Sequence, residues 1–127
     1  AFNGIMNAFG LPKSSEEEKA ARSLAIEDAT KNAINVPLKV MKASFSSFEI
    51  IKAMAQEGNP NSVSDTGVGA LCARSAVIGA FLNVRINASG LKDKEYVASV
   101  IKEGEKIMEE SIKMEAAIIE IVNEKIK

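Results

Sequence analysis

The segment from residue 65 to residue 89 constrains the fold of this chain more than any other. It is rich in glycine and alanine, and after Asp65 its only charged residues are Arg74 and Arg85. Its longest uncharged stretch, 75–84, is far shorter than the ~18 apolar residues that a membrane span requires. A segment that is apolar on all sides but interrupted by arginine favours a buried central helix, whose small residues let neighbouring helices approach closely. We therefore predict a bundle built around this segment and no membrane insertion.

Helical patterns also flank this segment. Apolar residues at steps of three and four predict helices over 1–9, 19–36, 38–52 and about 94–126. Pro37 should kink or break the chain near Val36, because proline lacks the amide donor and crowds the preceding turn. No segment alternates with period two. We therefore predict an all-α, multi-helix bundle with a buried central Gly/Ala-rich helix and a long C-terminal helix.

Capping signals separate these helices. Gly10 is placed to end the first helix, and Ser15 with Glu18 fits a capping box for the next. The stretch from Gly58 to Asn61 is the strongest turn signal, and Ser62, Ser64 or Asp65 can cap the helix after it. Asp93 is a suitable N-cap for the final helix.

The first residues, AFNGIMNAF, show no initiator methionine, no cap residue and no basic leader. Phe2, Ile5, Met6 and Phe9 recur at helical spacing, so we expect these residues to be the last turns of a helix that has already begun. On that expectation, residues 1–127 are the C-terminal part of one larger helical domain. The alternative is a short, frayed N-terminal helix.

Composition excludes several kinds of chemistry. The chain has no histidine and one cysteine, Cys72, which excludes Ser-His-Asp and Cys-His catalysis within the chain and leaves no set of zinc ligands. The absence of a disulfide framework favours a reducing compartment, and we expect a cytoplasmic location. Because free cysteine is commonly buried, we predict that Cys72 is a small core residue. A net charge of −1 provides no basic excess for phosphates, which disfavours a nucleic-acid-binding bundle.

Polar residues cluster at both ends of the apolar segment. The first cluster, GNPNSVSD, supplies Asn59, Asn61, Ser64 and Asp65, and the second, NVRIN, supplies Asn83, Arg85 and Asn87. Amides in an apolar stretch are costly unless they are hydrogen-bonded, so they either bind a ligand or satisfy backbone groups. The clusters are about 27 Å apart along one helix. They therefore cannot line one small pocket unless the helix breaks or a second copy contributes.

These clusters carry a resemblance to a known family. The succession AFNGIMNAFGLPK, VPLKVM, GNPNSVSD and GAFLNVRIN followed by LKD resembles the cyclodeaminase domain of formiminotransferase-cyclodeaminases. Bacterial methenyltetrahydrofolate cyclohydrolases belong to the same family. The distinctive parts are GN-x-x-x-x-SD and NV-x-IN, and the resemblance spans almost the whole chain. The family domain is longer and normally begins with a helical region containing a Pro-Gly-Gly-Gly stretch, which this sequence lacks.

The resemblance implies folate one-carbon chemistry on an all-helical homodimer or higher homo-oligomer. The first expectation is a cyclodeaminase, which closes 5-formiminotetrahydrofolate to 5,10-methenyltetrahydrofolate and releases ammonia, a step of histidine degradation. The alternative is a cyclohydrolase that interconverts the 5,10-methenyl and 10-formyl forms. Neither reaction requires a metal or any cofactor beyond the tetrahydrofolate substrate. A hypothesis of another class is a helical oligomerisation module that has lost activity.

Ring closure requires one proton to be removed and another delivered, and Asp65 is the carboxylate we assign to this work, with Ser64 beside it. A helix N-terminus favours the charged carboxylate, which is the wrong direction for a general acid, so Asp65 could instead orient a substrate amine. Asn59 and Asn61 lie close by. Alternatively, the acid–base residue precedes residue 1.

Side chains that could bind the substrate are expected mainly at the second cluster. Asn83 and Asn87 could hydrogen-bond the pterin edge, whose donors and acceptors suit amides. Arg85 or Lys39 could bind the anionic glutamate tail of the folate, although Lys39 also fits an ordinary solvated surface position.

Overall fold

The structure is a computed structural model that describes residues 1–127, which form four α-helices and no strand. Helix α1 spans Phe2–Phe9, α2 spans Glu16–Glu57, α3 spans Val63–Ala88 and α4 spans Lys94–Ile126, with a 3-10 turn at Pro60–Ser62. Helix α3 packs against both α2 and α4, and α1 packs against α2. The predicted all-α bundle with a long C-terminal helix is confirmed.

The helix starts show which capping signals were correct. Ser15 Oγ accepts from the Glu18 N–H at 3.1 Å and the Glu18 carboxylate accepts from the Ser15 N–H at 3.2 Å, which completes the capping box. Asp93 Oδ1 accepts from the Tyr96 N–H at 3.0 Å and caps α4. The predicted starts of these two helices are confirmed.

At the start of α3, one of the three capping candidates that the sequence offers occupies the N-cap position. Ser62 is its N-cap and makes no side-chain capping bond, whereas Ser64 and Asp65 already lie within the first turn. The reason is the 3-10 turn Pro60–Ser62, which is capped by Asn59: its Oδ1 accepts from the Asn61 N–H at 3.0 Å. The chain is therefore already helical before it reaches Ser64. The expectation that Ser64 or Asp65 caps this helix is wrong.

Pro37 does not break its helix, because α2 continues without interruption through residues predicted as two helices. Its neighbours Ile34, Leu38 and Met41 are buried against α3 and α4 in one hydrophobic cluster. Burying side chains of this size stabilises a helix by about 1.5–3 kcal/mol each, which offsets the cost of an interior proline. The predicted break at Val36 is therefore wrong, because packing against α3 and α4 keeps α2 helical through Pro37.

The core has two parts that follow each other along the bundle. Beside the middle of α2 it is built from Ile34, Leu38 and Met41 together with Val77, Phe81, Val84 and Val100. Toward the other end it is built from Phe48, Ala55, Val63, Ala70, Ala73, Ile118 and Val122. Phe45 packs against both parts. Helix α3 contributes to both parts and packs against both α2 and α4, so it has the central position that the sequence predicts, although only one of its faces is buried.

Two contacts fix how α3 approaches α4. A Cβ atom at Gly104 would overlap the ring of Phe81, so this approach requires glycine. Arg74 on α3 forms an ion pair with Glu115 on α4, whose side chain is 16% exposed. Of the two arginines that interrupt the apolar segment, Arg74 is thus paired between α3 and α4.

A polar brace joins α2 to the start of α4. Lys31 Nζ donates to Asp93 Oδ2 at 2.7 Å and lies 5.1 Å from the centre of the Tyr96 ring. The hydrogen bond from Lys31, together with that from the Tyr96 N–H, lowers the pKa of Asp93 below 3.8, and the bond to Asp93 raises the pKa of Lys31 above 10.5. Burial raises the pKa of the Tyr96 hydroxyl. The brace therefore favours both charges at neutral pH.

Helix α3 with its preceding turn, Pro60–Ala88, is long and apolar enough to cross a membrane by length and composition. Its most apolar 18-residue window has a mean hydropathy of 1.5, and a third of that window is buried in the bundle. One such helix is weak evidence for a span, because the core helix of a soluble protein passes the same test. Its packing shows that α3 is buried on one face only.

Candidate functional site

A groove of about 560 Å³ lies between three helices. It lies between the start of α1, the region of α2 around Pro37, and the C-terminal half of α3. Its lining is Ala1, Phe2, Ile5, Ala33, Val36, Pro37, Val40, Ala76, Gly79, Ala80, Asn83 and Asn87. A groove of this volume with apolar walls and a few polar groups is typical of a small-molecule site.

Asn83 and Asn87 are the only polar side chains that line this groove. Asn83 Nδ2 donates to the Gly79 carbonyl at 3.1 Å, and Asn87 Nδ2 donates to the Ala33 carbonyl of α2 at 3.0 Å. The expectation that these amides satisfy backbone carbonyls therefore holds for their N–H groups. Each Oδ1 accepts no hydrogen bond within the chain, so both acceptors remain available to a ligand.

The groove contains no titratable side chain. Its walls are alanine, glycine, valine, isoleucine, phenylalanine and proline, and its polar edge consists of two neutral amides. Such a surface can bind and orient a flat, partly apolar molecule, but it cannot move a proton. Acid–base chemistry in this groove therefore requires a group from outside its lining.

The first polar cluster lies at the opposite end of α3. Asn59, Asn61, Ser64 and Asp65 are all exposed, and none of them lines the groove. Asp65 is separated from Asn87 by about 33 Å at 1.5 Å per residue. The structure therefore brings each cluster together but does not bring the two clusters to one place within a single copy.

The two cations assigned to the glutamate tail also lie outside the groove. Arg85 is exposed, and its guanidinium carbon lies 5.9 Å from the centre of the Phe81 ring. Lys39 is exposed and forms no ion pair. Neither residue lines the groove, so its polar edge consists of the amides alone.

One face of α3 is exposed along the whole helix. We call it the α3 stripe, and it consists of Ser64, Asp65, Val68, Cys72, Ser75, Gly79, Leu82, Asn83 and Ile86. These residues follow one another at steps that place them on one face of a helix. Ile86 is 69% exposed and Leu82 is 58% exposed. The stripe thus joins Asp65 to Asn83 through a continuous surface of small and apolar side chains.

Cys72 lies on this stripe and is exposed. The prediction that it is a core residue is therefore wrong. The frequency with which free cysteine is buried says nothing about which face of a helix a given cysteine occupies, and here the buried face of α3 is occupied by Ala70, Ala73 and Val77.

The groove is also lined by residues that the sequence analysis did not propose as site residues. Phe2, Ile5, Val36 and Val40 form its apolar walls, and Pro37 lies among them. Apolar residues at the start of one helix and in the middle of another do not indicate a shared pocket, because the sequence does not show how the helices pack. Pro37 was the one detectable signal, because an interior proline leaves a backbone carbonyl of its helix without a donor.

A second concavity, of about 470 Å³, lies where the α1–α2 and α3–α4 connections approach α2. It is basic, with Lys13, Lys19, Arg22 and Lys92 in its lining and Glu27 as the acidic residue. Arg22 donates to the Phe9 carbonyl, and Lys92 Nζ donates to Ser23 Oγ at 3.1 Å. This cleft contains none of the predicted site residues. No three His, Cys, Asp or Glu side chains are grouped as a metal site requires.

The sequence of the chain is similar to one family of known proteins. Residues 1–106 match the family model described as formiminotransferase-cyclodeaminase. The chain is 38% identical over 126 residues to a methenyltetrahydrofolate cyclohydrolase of Methylorubrum extorquens, covering 99% of this chain and 61% of that protein. It is 37% identical to a formimidoyltransferase-cyclodeaminase of Dictyostelium discoideum and 30% identical to that of Gallus gallus, covering 22% and 23% of those proteins.

Proposed function

The chain belongs to the formiminotransferase-cyclodeaminase family, and from this membership we propose that it is an enzyme of folate one-carbon metabolism. It spans about three-fifths of the cyclohydrolase and less than a quarter of the bifunctional relatives. The reaction we propose first is the cyclodeaminase step, in which 5-formiminotetrahydrofolate becomes 5,10-methenyltetrahydrofolate and ammonia. The substrate is a tetrahydrofolate derivative, and we propose no cofactor beyond it.

The observation that carries the proposal is the groove with two free amide acceptors on one apolar wall. A pterin is a flat heterocycle with N–H donors along one edge, so its ring suits the walls and its edge suits Asn83 and Asn87. The orientation of the ring would then be fixed by hydrogen bonds, which holds the reacting nitrogens in one place.

The catalytic group in this proposal is Asp65 of a second copy. If two copies pack antiparallel through their α3 stripes around a centre near Ala76, residue 65 of one copy lies level with residue 87 of the other. Each groove then gains a carboxylate, with Ser64 beside it, and Asn59 and Asn61 lie near the substrate. The homodimer therefore supplies the titratable group that the groove of one copy lacks, and it covers the exposed apolar residues of the stripe.

The ring closure can then be written with its protons balanced. The formimino group on N5 reacts in its protonated form, –CH=NH2⁺: the N10 nitrogen attacks its carbon, the C=N double bond opens onto the nitrogen, and a tetrahedral carbon forms that is bonded to both folate nitrogens and to an NH2 group. The Asp65 carboxylate takes the proton from N10 and delivers it to the departing nitrogen, which leaves as ammonia. A positioned acid–base group of this kind contributes about 10²–10⁴-fold to a rate.

The second candidate is the cyclohydrolase reaction, which the 38% identity to a methenyltetrahydrofolate cyclohydrolase favours. Water adds to the methenyl carbon and Asp65 takes one of its protons. The bond from that carbon to N5 then breaks, the remaining hydroxyl proton moves to N5, and the 10-formyl form results. The same two-nitrogen tetrahedral carbon occurs in both reactions, so the same site serves either. A non-enzymatic helical oligomerisation module, which the α3 stripe alone would support, is the alternative of another class.

Two assays on the purified protein distinguish these functions. Release of ammonia from 5-formiminotetrahydrofolate supports the cyclodeaminase. Loss of methenyl absorbance from 5,10-methenyltetrahydrofolate without any release of ammonia in the first assay supports the cyclohydrolase. A folded dimer that turns over neither substrate and binds no tetrahydrofolate would contradict the enzyme proposal and support the oligomerisation module.

A further inference from the structure

Pro37 lies in the middle of α2 and leaves one backbone group without its usual partner. In an α-helix the carbonyl of residue 33 accepts from the N–H of residue 37. Proline has no N–H, so the Ala33 carbonyl loses this hydrogen bond. Ala33 is only 6% exposed, and a buried carbonyl without a partner is destabilising.

Asn87 replaces the missing donor from another helix. Its Nδ2 donates to the Ala33 carbonyl at 3.0 Å, across 54 residues of sequence. The hydrogen bond therefore joins α3 to the point in α2 where the helix lacks its own donor. It explains why an asparagine is tolerated near the end of an apolar helix, and why the interior proline does not break α2.

This bond also fixes the orientation of the Asn87 amide. If the amide rotated by half a turn, its Oδ1 would face the Ala33 carbonyl, and two acceptors would meet. The Nδ2 atom is therefore committed to α2, and Oδ1 is the atom left for a ligand. Ala33, Pro37 and Asn87 all line the groove, so the acceptor is presented beside the space that a ligand would occupy.

We infer that Pro37 is a positioning residue of the groove, which acts by withholding an N–H and thereby fixing Asn87 as a hydrogen-bond acceptor toward the ligand. The ligand edge at this position must then carry an N–H or O–H donor. This inference rests on the proposed function only for the identity of that ligand, a tetrahydrofolate whose pterin edge carries such donors. The hydrogen bond between the two helices stands independently of the reaction.

A double-mutant cycle on stability tests the hydrogen bond without any assay of activity. In the Pro37 protein, Asn87→Ala should raise the unfolding equilibrium constant roughly tenfold or more, because the buried Ala33 carbonyl loses its donor. In the Pro37→Ala background residue 37 again donates to Ala33, and Asn87→Ala should cost much less. Equal effects in the two backgrounds would overturn the inference.

The functional consequence is tested by kinetics and by NMR on the Pro37→Ala variant. We expect KM for the folate substrate to rise roughly fivefold, as when one neutral hydrogen bond is weakened, with little change in kcat. The side-chain amide resonances of Asn87 should lose their protection from exchange. Pro12→Ala, which changes the exposed proline outside the helices, is the matched control and should leave KM unchanged.

The two proposals fail in different ways. A protein that turns over no folate contradicts the proposed function, while the stability cycle still reports on the hydrogen bond. An active protein in which Pro37→Ala leaves both KM and the Asn87 resonances unchanged contradicts the positioning role.

Discussion

At its start, α3 carries the exposed Asp65, which follows a turn where Asn59 bonds to the Asn61 N–H, whereas its end carries two asparagines within a groove built from three helices. The start has a titratable group, Asp65, which lies outside the groove. The end has the cavity and no titratable group. In the proposed dimer the two ends would provide different halves of one site, and the α3 stripe connects them along a face that a single copy leaves exposed.

The largest effect should follow from removing the titratable half. Asp65→Asn should lower turnover about 10²–10⁴-fold, because the amide cannot accept the proton of the attacking nitrogen. Folding should be unaffected, since Asp65 is exposed and its side chain makes no hydrogen bond or ion pair. Steady-state kinetics with circular dichroism measures both. Asp28→Asn, an exposed helical aspartate on α2, is the control, and equal rates for the two variants would remove Asp65 from the mechanism.

The next largest effect should follow from separating the two halves. Ile86→Glu places a charge on the α3 stripe of both copies, where the two helices are proposed to meet. We expect the dimer dissociation constant to rise roughly a hundredfold or more, with loss of activity at low protein concentration. Analytical ultracentrifugation measures this change. Ile50→Glu on α2, which is equally exposed at 70%, should leave the dimer intact; dissociation of both variants alike would show that the stripe is not the interface.

An added methyl group should have different effects at the buried face of α3 and at the exposed α3 stripe. Gly104→Ala on α4 forces a Cβ into the ring of Phe81, which lies on the buried face of α3, and should lower the free energy of unfolding by about 1–3 kcal/mol. Gly79→Ala meets no atom within 4 Å in one copy, so the monomer should keep or gain stability through better helix propensity. If the stripe is an interface, Gly79→Ala should instead weaken the dimer. Denaturation of the monomer, followed by sedimentation of the dimer, separates the two effects.

The smallest effect is expected at the Lys31–Asp93 brace, which joins α2 to α4 and includes no residue of α3. Asp93→Asn keeps an oxygen for capping α4 but loses the ion pair, and exposed pairs contribute little. Because the pKa of Asp93 is lowered on folding, its contribution is present above pH 3.8 and is lost as the pH falls through the folded value. The contribution from Lys31, whose pKa is raised, is lost only above pH 10.5. The melting temperatures of wild type and variant should therefore converge in acid and in strong alkali.

Much of the fold could be predicted from the sequence because its signals are local. The Ser15 capping box, the Asp93 cap and the apolar spacing of α4 each act within a few residues, and each is confirmed. The unbroken course of α2 could not be predicted, since it depends on packing around Pro37 and on a donor from Asn87, 54 residues away. The exposure of Cys72 was missed because an all-round apolar helix does not show which face its neighbours cover.

The site could be predicted only as two polar clusters. Asn83 and Asn87 were singled out as costly amides in an apolar stretch, and they do line the groove. The apolar walls supplied by Phe2, Ile5 and Val40 give no sequence signal of their own. The assignments to Asp65, Ser64, Asn59, Asn61 and Arg85 remain predictions, because one copy of the chain does not bring these side chains to the groove.

Complementation between a variant without the Asp65 carboxylate and a variant with a blocked groove tests the shared site most directly. Copies carrying Asp65→Asn are co-expressed with copies carrying Val40→Trp, whose indole fills the groove that Val40 lines, and the mixed dimers are assayed for turnover. If Asp65 of one copy serves the groove of the other, each heterodimer contains one intact site, and random mixing should restore about a quarter of wild-type activity. Activity that stays at the level of the better single variant, in a sample shown to contain heterodimers, would contradict a site shared between two copies.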